Sequence, residues 1–262
     1  MAPESPVLSW SESFDEPSLS PQRWNFDEGD GSAHGLVGWG NNELQFYTED
    51  SLIVNKGLKI RASKQSEDTT LQCYYGPAKW RSGKIHTANK VAFKYGLIEV
   101  RAQMPKGKGT WPALWLLGNS LTEGIIWPFC GEIDIFEGVG NKPHTVRGTI
   151  HGPEYFGEEG ITHAFDYSDE LSSSLHTYAI SWEENRIAWL FDGQPYFSLT
   201  PDDPRLVGKV WPFNESHYLI INLAIGGWFG GEVDPDLTTA ELKIEWIHHS
   251  KINGVGEVLT SA

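Results

Sequence analysis

Three carboxylates occur within six residues of the segment Gly131–Gly138, which reads Gly-Glu-Ile-Asp-Ile-Phe-Glu-Gly. The apolar residues between them favour a strand that buries one face, and side chains two positions apart in a strand share a face. Glu132 and Asp134 therefore point the same way, whereas Glu137 is out of phase with them. One extra residue, inserted as a β-bulge between Asp134 and Glu137, returns Glu137 to the acidic face, and bulges are common beside active sites. The spacing thus predicts a bulged strand with three acids on one face.

Paired carboxylates on one face of a sheet are suited to glycoside hydrolysis. Two carboxyl groups about 5–5.5 Å apart allow one to attack the anomeric carbon while the other protonates the leaving oxygen. Close negative charges also raise one pKa, which keeps the general acid protonated near neutral pH while its partner stays ionised. We assign Glu132 as the nucleophile, Glu137 as the acid/base and Asp134 as the residue that hydrogen-bonds and tunes Glu132. The alternative is an exposed acidic sheet edge, which the apolar residues on the other face disfavour.

The elements that must hold this strand are other strands. The chain contains no window of a dozen residues with apolar positions at helical spacing. Alternating segments dominate instead, as in Gly96–Met104, and Asp192-Gly193 is typical of a two-residue hairpin turn. Strands at intervals of roughly 8–12 residues predict an all-β protein, an antiparallel β-sandwich. We expect it to form one domain over residues 1–262.

Local patterns also suggest where some segments lie within this sandwich. Tyr218–Ala224 is expected to be a central strand and Leu242–His248 an edge strand. Tyr167–His176 and Asp202–Gly208 are expected to form short helical turns. The tail after Ile252 is expected to be frayed.

The composition narrows the class of partner. The 262 residues include 35 acidic and 20 basic side chains, for a formal net charge of −15. This charge repels phosphate backbones and anionic membrane surfaces, so we expect no nucleic acid or membrane partner. The 12 Trp residues exceed what one core normally needs, and flat rings with one polar edge suit a sugar-binding cleft. A neutral carbohydrate is therefore the expected substrate.

Other features of the chain bear on its location and redox state. The segment Met1–Pro6 has neither the basic start nor the apolar run of a signal peptide. We expect a secreted monomer whose signal peptide has been removed. A chain of this length builds a core without disulfides, so Cys73 and Cys130 are expected to be buried free thiols. A Cys73–Cys130 disulfide is the alternative.

The segment Glu132–Glu137 resembles the catalytic signature of glycoside hydrolase family 16, in the bulged form of its laminarinase-like endo-1,3-β-glucanases. Other motifs stand in the order found in that family: Trp39–Gln45, Tyr95–Arg101, Gly109–Gly118, Gly148–Gly152, His176–Ala179, Asp192-Gly193 and Asn222–Gly227. The resemblance implies a jelly-roll of the concanavalin A-like lectin/glucanase type with a cleft on its concave face. It also implies a retaining mechanism through a covalent glycosyl-enzyme.

The same resemblance implies which side chains bind the sugar. Trp111 and Trp115 would be stacking walls for glucosyl rings, with core packing as the alternative. Glu99 and Arg101 would hydrogen-bond the sugar on the donor side, with an ion pair inside the sheet as the alternative.

Three further residues are assigned to the cleft by their motifs: Asn42, His151 and Trp228. His151 resembles the histidine beside the acid/base, where an imidazole can contact Glu137 or the leaving sugar. Trp228 resembles the tryptophan that closes the donor side. The usual preceding Asn is missing there, so the loop geometry is expected to differ.

No cofactor is required by this chemistry, and no Cys/His spacing fits a zinc site. Many family members hold a structural Ca²⁺ on the convex face. Ser13 stands where the family usually has an acidic ligand, which argues against that site here.

The leading interpretation is retaining endo-hydrolysis of 1,3-β-D-glucosidic bonds in laminarin-type β-glucan. The alternatives on the same fold are a mixed-linkage 1,3-1,4-β-glucanase and a transglycosylase. A non-enzymatic β-glucan-binding protein would be expected to lack the paired glutamates, and both are present.

Overall fold

The structure of the chain is a computed structural model that describes residues 5–261, so Met1–Glu4 of the segment Met1–Pro6 lie outside the described residues. In chain order, its strands are β1 (Val7–Glu12), β2 (Asn25–Phe26), β3 (Gln45–Tyr47), β4 (Leu52–Val54), β5 (Leu58–Lys64), β6 (Gln72–Cys73), β7 (Gly76–Pro77), β8 (Trp80–Ser82), β9 (Lys84–His86), β10 (Val91–Lys94), β11 (Gly96–Gln103), β12 (Thr110–Gly118), β13 (Glu132–Glu137), β14 (Thr145–His151), β15 (Ile161–Asp166), β16 (His176–Glu183), β17 (Arg186–Phe191), β18 (Gln194–Leu199), β19 (His217–Ile225), β20 (Thr239–Lys251) and β21 (Glu257–Thr260). The helical segments are α1 (Gly227–Gly230) and short 3₁₀ helices at Ser32–His34, Val37–Gly40, Glu49–Ser51, Asn119–Glu123 and Gly157–Glu159. Within residues 5–261, no helix has the length and apolar content needed to cross a membrane.

Most of these strands form two sheets. The sheet that carries Glu132–Glu137, here called the acidic sheet, has the strand order β15-β14-β13-β12-β19-β10-β21, with β9 beside β19 and β2 beside β9. The second, here called the opposite sheet, has the order β18-β17-β16-β11-β20-β5-β8-β3, with β1 beside β20 and β4 beside β5. Strands β3 and β8 pair in parallel, whereas the strands around the acidic segment pair antiparallel. The predicted antiparallel sandwich is confirmed, and its crossed strand order is that of a jelly-roll.

The core lies between the two sheets. On β11 of the opposite sheet, Ile98, Val100 and Ala102 are fully buried. On β12 of the acidic sheet, Leu114 and Leu116 are fully buried in the same cluster. Burying a large aliphatic side chain stabilises the folded state by roughly 1.5–3 kcal/mol relative to leaving that side chain exposed. Because strands have a period of two, this packing turns the intervening residues of each sheet away from the core.

The predicted hairpin at Asp192-Gly193 is confirmed. Asp192 and Gly193 join β17 to β18, with φ values of 48° and 76°. Both residues are thus left-handed, as a type I′ turn requires, and Gly193 adopts that conformation without a Cβ clash. β19, expected from Tyr218–Ala224, is central as predicted.

Leu242–His248 is not the edge strand that was predicted. It belongs to the 13-residue β20, which pairs with β11 on one side and with β5 and β1 on the other. Leu242, Ile244 and Ile247 are buried in the core, and the polar residues between them face outward. The local pattern shows which residues of a strand are buried but does not show whether the strand has neighbours on one side or on both.

Two other local expectations were also wrong. The tail after Ile252 forms β21, whose Glu257–Thr260 pairs with β10 instead of fraying. The segments expected to form helical turns, Tyr167–His176 and Asp202–Gly208, are non-helical turns, and His176 already belongs to β16. Starting a helix is energetically unfavourable, and neither segment continues for enough hydrogen-bonded residues to offset that cost.

Candidate active site

The predicted bulge is present in β13. Asp134 lies opposite Thr149 on β14 and Glu137 lies opposite Arg147, so three steps along β13 match two steps along β14. Ile135, which follows Asp134, is buried together with the next residue, Phe136. A regular strand cannot bury two consecutive side chains on one face, and the extra residue of a bulge resolves this conflict. Glu132, Asp134 and Glu137 consequently share the outer face of the acidic sheet.

The carboxylate of Glu132 is oriented by a residue that the sequence did not reveal. Trp127 Nε1 donates a hydrogen bond to Glu132 Oε2 at 2.6 Å, and the Trp127 ring lies 5.4 Å from that of Phe156. Glu132 Oε1 lies 4.0 Å from His151 Nε2. Trp127 belongs to the loop before β13, where no periodicity indicates the direction of a side chain. The only available signal was a tryptophan five residues before a candidate nucleophile.

Glu137 has the environment of a general acid. Trp111 Nε1 donates to Glu137 Oε1 at 3.0 Å. Burial raises the pKa of Glu137, and the Glu132 charge adds to this rise. The His151 charge, the Trp111 hydrogen bond and the Arg147 charge oppose it. A raised pKa favours the protonated form of a carboxyl group, which proton donation to a leaving oxygen requires.

Asp134 and His151 form a buried pair between the glutamates. Asp134 Oδ2 lies 3.2 Å from His151 Nε2. Burial raises the pKa of Asp134 well above its usual range, and the charges of Glu137 and Glu132 add to that rise. Burial alone would lower the pKa of His151, but the surrounding carboxylates outweigh it and raise it to about 9. His151 was expected beside Glu137, whereas its closest contact is with Asp134, so it acts as a cation for the whole acidic set.

A contact across the core holds this part of β13 in place. Trp189 Nε1, from β17 of the opposite sheet, donates to the backbone oxygen of Asp134 at 2.7 Å. A Cβ at Gly148 would lie 2.3 Å from Trp189 Cδ1. The glycine of the Gly148-Thr-Ile-His151 motif is therefore required by the close approach of this indole.

Trp111 and Trp115 lie on the acidic face, as predicted. Trp115 is opposite Asp134 in the register of β12 and β13, and its Nε1 donates to Asn222 Oδ1 at 2.8 Å. Its ring also packs on a small apolar cluster on this face that includes Leu117. Both tryptophans are partly exposed rather than enclosed in the main core. Their position is thus compatible with stacking on a sugar.

Lys84 is a second residue of this face that sequence analysis missed. Its Nζ lies 4.1 Å from the centre of the Trp39 ring and 5.7 Å from that of Trp115, and 3.0 Å from Asp27 Oδ2. Lys84 is brought here because β9 pairs with β19. That pairing is not visible in the local sequence.

The loop around Trp228 brings a different aromatic residue to the acidic face. Phe229, not Trp228, packs against Trp111, with ring centres 5.4 Å apart, and the Arg147 guanidinium lies 4.9 Å from the Phe229 ring. Trp228 is 75% exposed, and its backbone N–H donates to Asn41 O. Trp228 is therefore largely exposed to solvent, while Phe229 and Arg147 pack beside Trp111 on the acidic face.

Asn42 was predicted to contribute to the cleft. Its side chain is exposed, and its backbone has a φ of 56°. The amide of Asn41 instead donates to Glu43 Oε1 at 2.9 Å. A sugar contact of Asn42 stays a prediction.

The assignment of Glu99 and Arg101 to the sugar site is wrong. Both lie on β11 of the opposite sheet, and because their neighbours Ile98 and Val100 face the core, they point away from it. Arg101 lies 3.7 Å from Glu245 and also close to Asp192, so an ion pair within the sheet, the alternative reading, describes it better. The motif was recognised, but the sheet that carries it could not be read from alternation.

Among residues 5–261, one group of side chains has the spacing of metal ligands: ligand atoms of Glu132, Asp134 and His151 lie within 4.8 Å of one another. At the position of the calcium site of other family members, the Glu12 carboxylate accepts hydrogen bonds from Phe14 N and Trp24 Nε1. Because its oxygens are already engaged and the next residue is a serine, this segment does not fit a Ca²⁺ site.

Cys73 and Cys130 are both buried free thiols, as predicted. Burial raises the pKa of each thiol, that of Cys130 to about 11. Neither is therefore activated as a thiolate nucleophile near neutral pH.

Comparison with known proteins gives consistent matches. A family model described as glycosyl hydrolases family 16 matches residues 37–248. A β-glucanase of Rhodothermus marinus is 35% identical over 251 residues, which cover 92% of this chain and 83% of that enzyme. The laminarinase catalytic domain of Thermotoga maritima superposes with a TM-score of 0.88 at 40% identity, over 95% of this chain and 99% of that one. The endo-β-1,3-glucanase of Pyrococcus furiosus superposes with a TM-score of 0.88 at 36% identity, over 94% of this chain and 95% of that one.

Proposed function

Since the chain belongs to glycosyl hydrolases family 16, we propose that it hydrolyses internal 1,3-β-glucosidic bonds of laminarin-type β-glucan with retention of anomeric configuration. The carrying observation is the bulge that brings Glu132 and Glu137 to one face, each with an indole N–H bonded to its carboxyl group. The substrate is supported by the relatives, which are named β-glucanase, laminarinase and endo-β-1,3-glucanase.

The first chemical step forms a covalent glycosyl-enzyme. Glu132 attacks the anomeric carbon while Glu137 gives its proton to the glycosidic oxygen, and the bond between that carbon and oxygen breaks. Trp127 orients the attacking carboxylate, and the buried setting of Glu137 keeps its proton available. The leaving half of the glucan departs with a new hydroxyl group.

The second step reverses these roles. Glu137, now ionised, takes a proton from water as the water oxygen attacks the anomeric carbon and displaces Glu132. Two displacements restore the β configuration. The Asp134–His151 pair beside Glu132 supplies a fixed charge distribution through both steps, since neither residue has to change place.

Product analysis tests this function. Laminarin digested with the protein should release short oligosaccharides before glucose, and NMR should detect the β anomer first. A Glu132→Ser variant, matched in every other position, should release neither. Glucose as the sole early product would exclude endo action, an initial α anomer would exclude retention, and full activity of Glu132→Ser would exclude the assigned nucleophile.

Digestions of other substrates separate the alternatives. With a short laminari-oligosaccharide as the only substrate, products longer than that substrate would indicate transglycosylation. Faster cleavage of lichenan than of laminarin would indicate a mixed-linkage glucanase. Binding without any product would indicate a glucan-binding protein.

We also propose the setting in which the enzyme works. It acts outside the cell, because its polymeric substrate is too large to enter, and we propose that it acts as a monomer. It requires no cofactor, since the carboxyl groups supply both the nucleophile and the proton. A single domain is supported by one core cluster that extends from Phe14 to Ile247.

A further inference from the structure

A chain of hydrogen bonds runs beneath the acidic face from Trp115 to a buried carboxylate, Glu43. Trp115 Nε1 donates to Asn222 Oδ1 at 2.8 Å, and Asn222 Nδ2 donates to the Tyr47 hydroxyl oxygen at 3.1 Å. The Tyr47 hydroxyl donates to Glu43 Oε2 at 3.3 Å. Every donor points towards Glu43, which is therefore the terminal acceptor of what is here called the Glu43 chain: Trp115, Asn222, Tyr47 and Glu43.

Glu43 is itself held firmly. It is 5% exposed, and its carboxylate also accepts hydrogen bonds from Asn41 Nδ2 at 2.9 Å and from Gln45 Nε2 at 2.6 Å. Gln45 Oε1 accepts from the backbone N–H of Ile225, at the end of the strand that carries the next link. Burial raises the pKa of Glu43, whereas these hydrogen bonds and the charge of Lys84 oppose the rise. A carboxylate that receives several donors and presents none fixes the direction of the bonds leading to it.

The direction of the chain matters because two of its members can reverse. A tyrosine hydroxyl can donate or accept, and an amide can turn so that its oxygen and nitrogen exchange places. An indole N–H can only donate. If the Tyr47 hydroxyl donated to Asn222 instead of to Glu43, the Asn222 amide would turn and present its NH₂ group to Trp115. Trp115 would then lose its acceptor.

The Glu43 chain has no part in the bond-breaking steps. Tyr47 and Asn222 are both buried, so neither can contact a polymeric substrate directly through an open surface. Trp115, by contrast, is partly exposed and lies opposite Asp134 in the register of the sheet. The orientation of its ring therefore decides how a sugar would lie beside the acidic set.

We propose that Glu43 is a positioning residue which, through Tyr47 and Asn222, holds the Trp115 indole in the orientation that stacks on a glucosyl ring. The inference rests on the proposed function of the cleft. It extends that function to a residue one layer below the surface that binds the glucan.

The direct test is Tyr47→Phe, which keeps the ring and removes the hydroxyl. The indole N–H resonance of Trp115, identified by its loss in Trp115→Phe, should shift in the ligand-free protein. The KM for laminarin should rise by about two- to tenfold, the range to which the contribution of one hydrogen bond converts. The kcat should change less than KM, because the acidic set is untouched.

Tyr75→Phe is the matched control. The Tyr75 hydroxyl donates to the backbone oxygen of Leu44, so the variant removes a tyrosine hydrogen bond to the same segment but outside the Glu43 chain. It should leave the Trp115 resonance and KM at the wild-type values. An unshifted Trp115 resonance with unchanged KM in Tyr47→Phe would overturn the proposal, and so would an equal effect of Tyr75→Phe.

Glu43→Gln breaks the chain at its other end. The NH₂ group of the glutamine side chain would face hydrogen-bond donors that the Glu43 carboxylate accepts in the wild type. The indole N–H resonance of Trp115 should therefore shift, and the KM for laminarin should rise. The double variant with Tyr47→Phe should be no worse than the poorer single variant; additive effects would contradict a shared chain. The NMR experiment uses no substrate, so an inactive wild-type protein would refute the proposed function while leaving the test of Trp115 positioning valid.

Discussion

At the scale of single residues, two indoles and one cation distinguish the two glutamates proposed to be catalytic. Trp127 donates to Glu132, and Trp111 donates to Glu137. Only Glu137 has Arg147 beside it in the sheet register. The guanidinium packs on the Phe229 ring, which places a positive charge near the general acid without neutralising it by direct contact. The charge near Glu137 is thus a property that a single substitution can change.

Arg147→Met should move the alkaline limb of the kcat/KM profile to higher pH. Burial raises the pKa of Glu137 and Arg147 opposes that rise, so removing the cation allows the pKa to rise further. Glu137 must be protonated in the first step, and activity is lost as the pH rises through its pKa. The measurement is kcat/KM on laminarin across the pH range.

The matched control is Arg186→Met, which removes a guanidinium from β17 of the opposite sheet. Its profile should coincide with that of the wild type. An alkaline limb that stays in place or moves to lower pH in Arg147→Met would contradict the assignment of that limb to Glu137.

The bulge is the feature that matters at the scale of the element. Asp134 and Glu137 match Thr149 and Arg147 with one residue of β13 in excess. Deleting Ile135 would remove that excess and leave a regular strand in which the three acids still alternate with apolar residues. Deleting Ile133 instead would put Glu132 out of phase with Asp134.

We therefore expect different results from these two deletions. The Ile135 deletion should remain folded, with a loss of about 2–4 kcal/mol from the missing core side chain. It should hydrolyse laminarin faster than Glu137→Gln. The Ile133 deletion, which removes a side chain of similar burial, should be inactive. Circular dichroism and denaturant unfolding establish folding, and equal activities of the two folded deletions would exclude the parity argument.

At the scale of the whole molecule, a buried histidine links stability to pH. His217 is fully buried at the start of β19, and its Nδ1 hydrogen-bonds the backbone oxygen of Glu215. Burial lowers its pKa to about 4, from 6.5 for the ordinary group. Between these pH values the unfolded chain binds more protons than the folded one, so acidification favours unfolding. The contribution to stability is complete above pH 6.5 and is lost as the pH falls towards 4.

His217→Phe should flatten the dependence of the free energy of unfolding on pH between 6.5 and 4. The full effect of the shift amounts to about 3 kcal/mol. The slope is the relevant quantity, because repacking can lower stability equally at both pH values. His144→Phe, at an exposed histidine, is the control and should keep the wild-type slope. A slope that is unchanged in His217→Phe would show that other groups carry the pH dependence.

The tertiary structure also explains which residues were assigned wrongly. Glu99 and Arg101 alternate with buried residues as Glu132 and Asp134 do, yet they face outward from the other sheet. Alternation tells which residues share a face but not which sheet the strand joins. Leu242–His248 was misplaced at an edge for the same reason, because the neighbours of a strand come from distant parts of the chain.

The sequence by itself determined the fold class, the acidic strand and its bulge. These follow from local physics, since a strand has a period of two and the adjacent Ile135 and Phe136 both require burial. Only the tertiary structure decided that Trp127, Lys84 and Arg147 join the acidic face, and that Glu43 lies at the end of a chain leading to Trp115. Those contacts depend on loop paths and on pairing between strands far apart in sequence. Local residue order does not encode them in a form that periodicity can reveal.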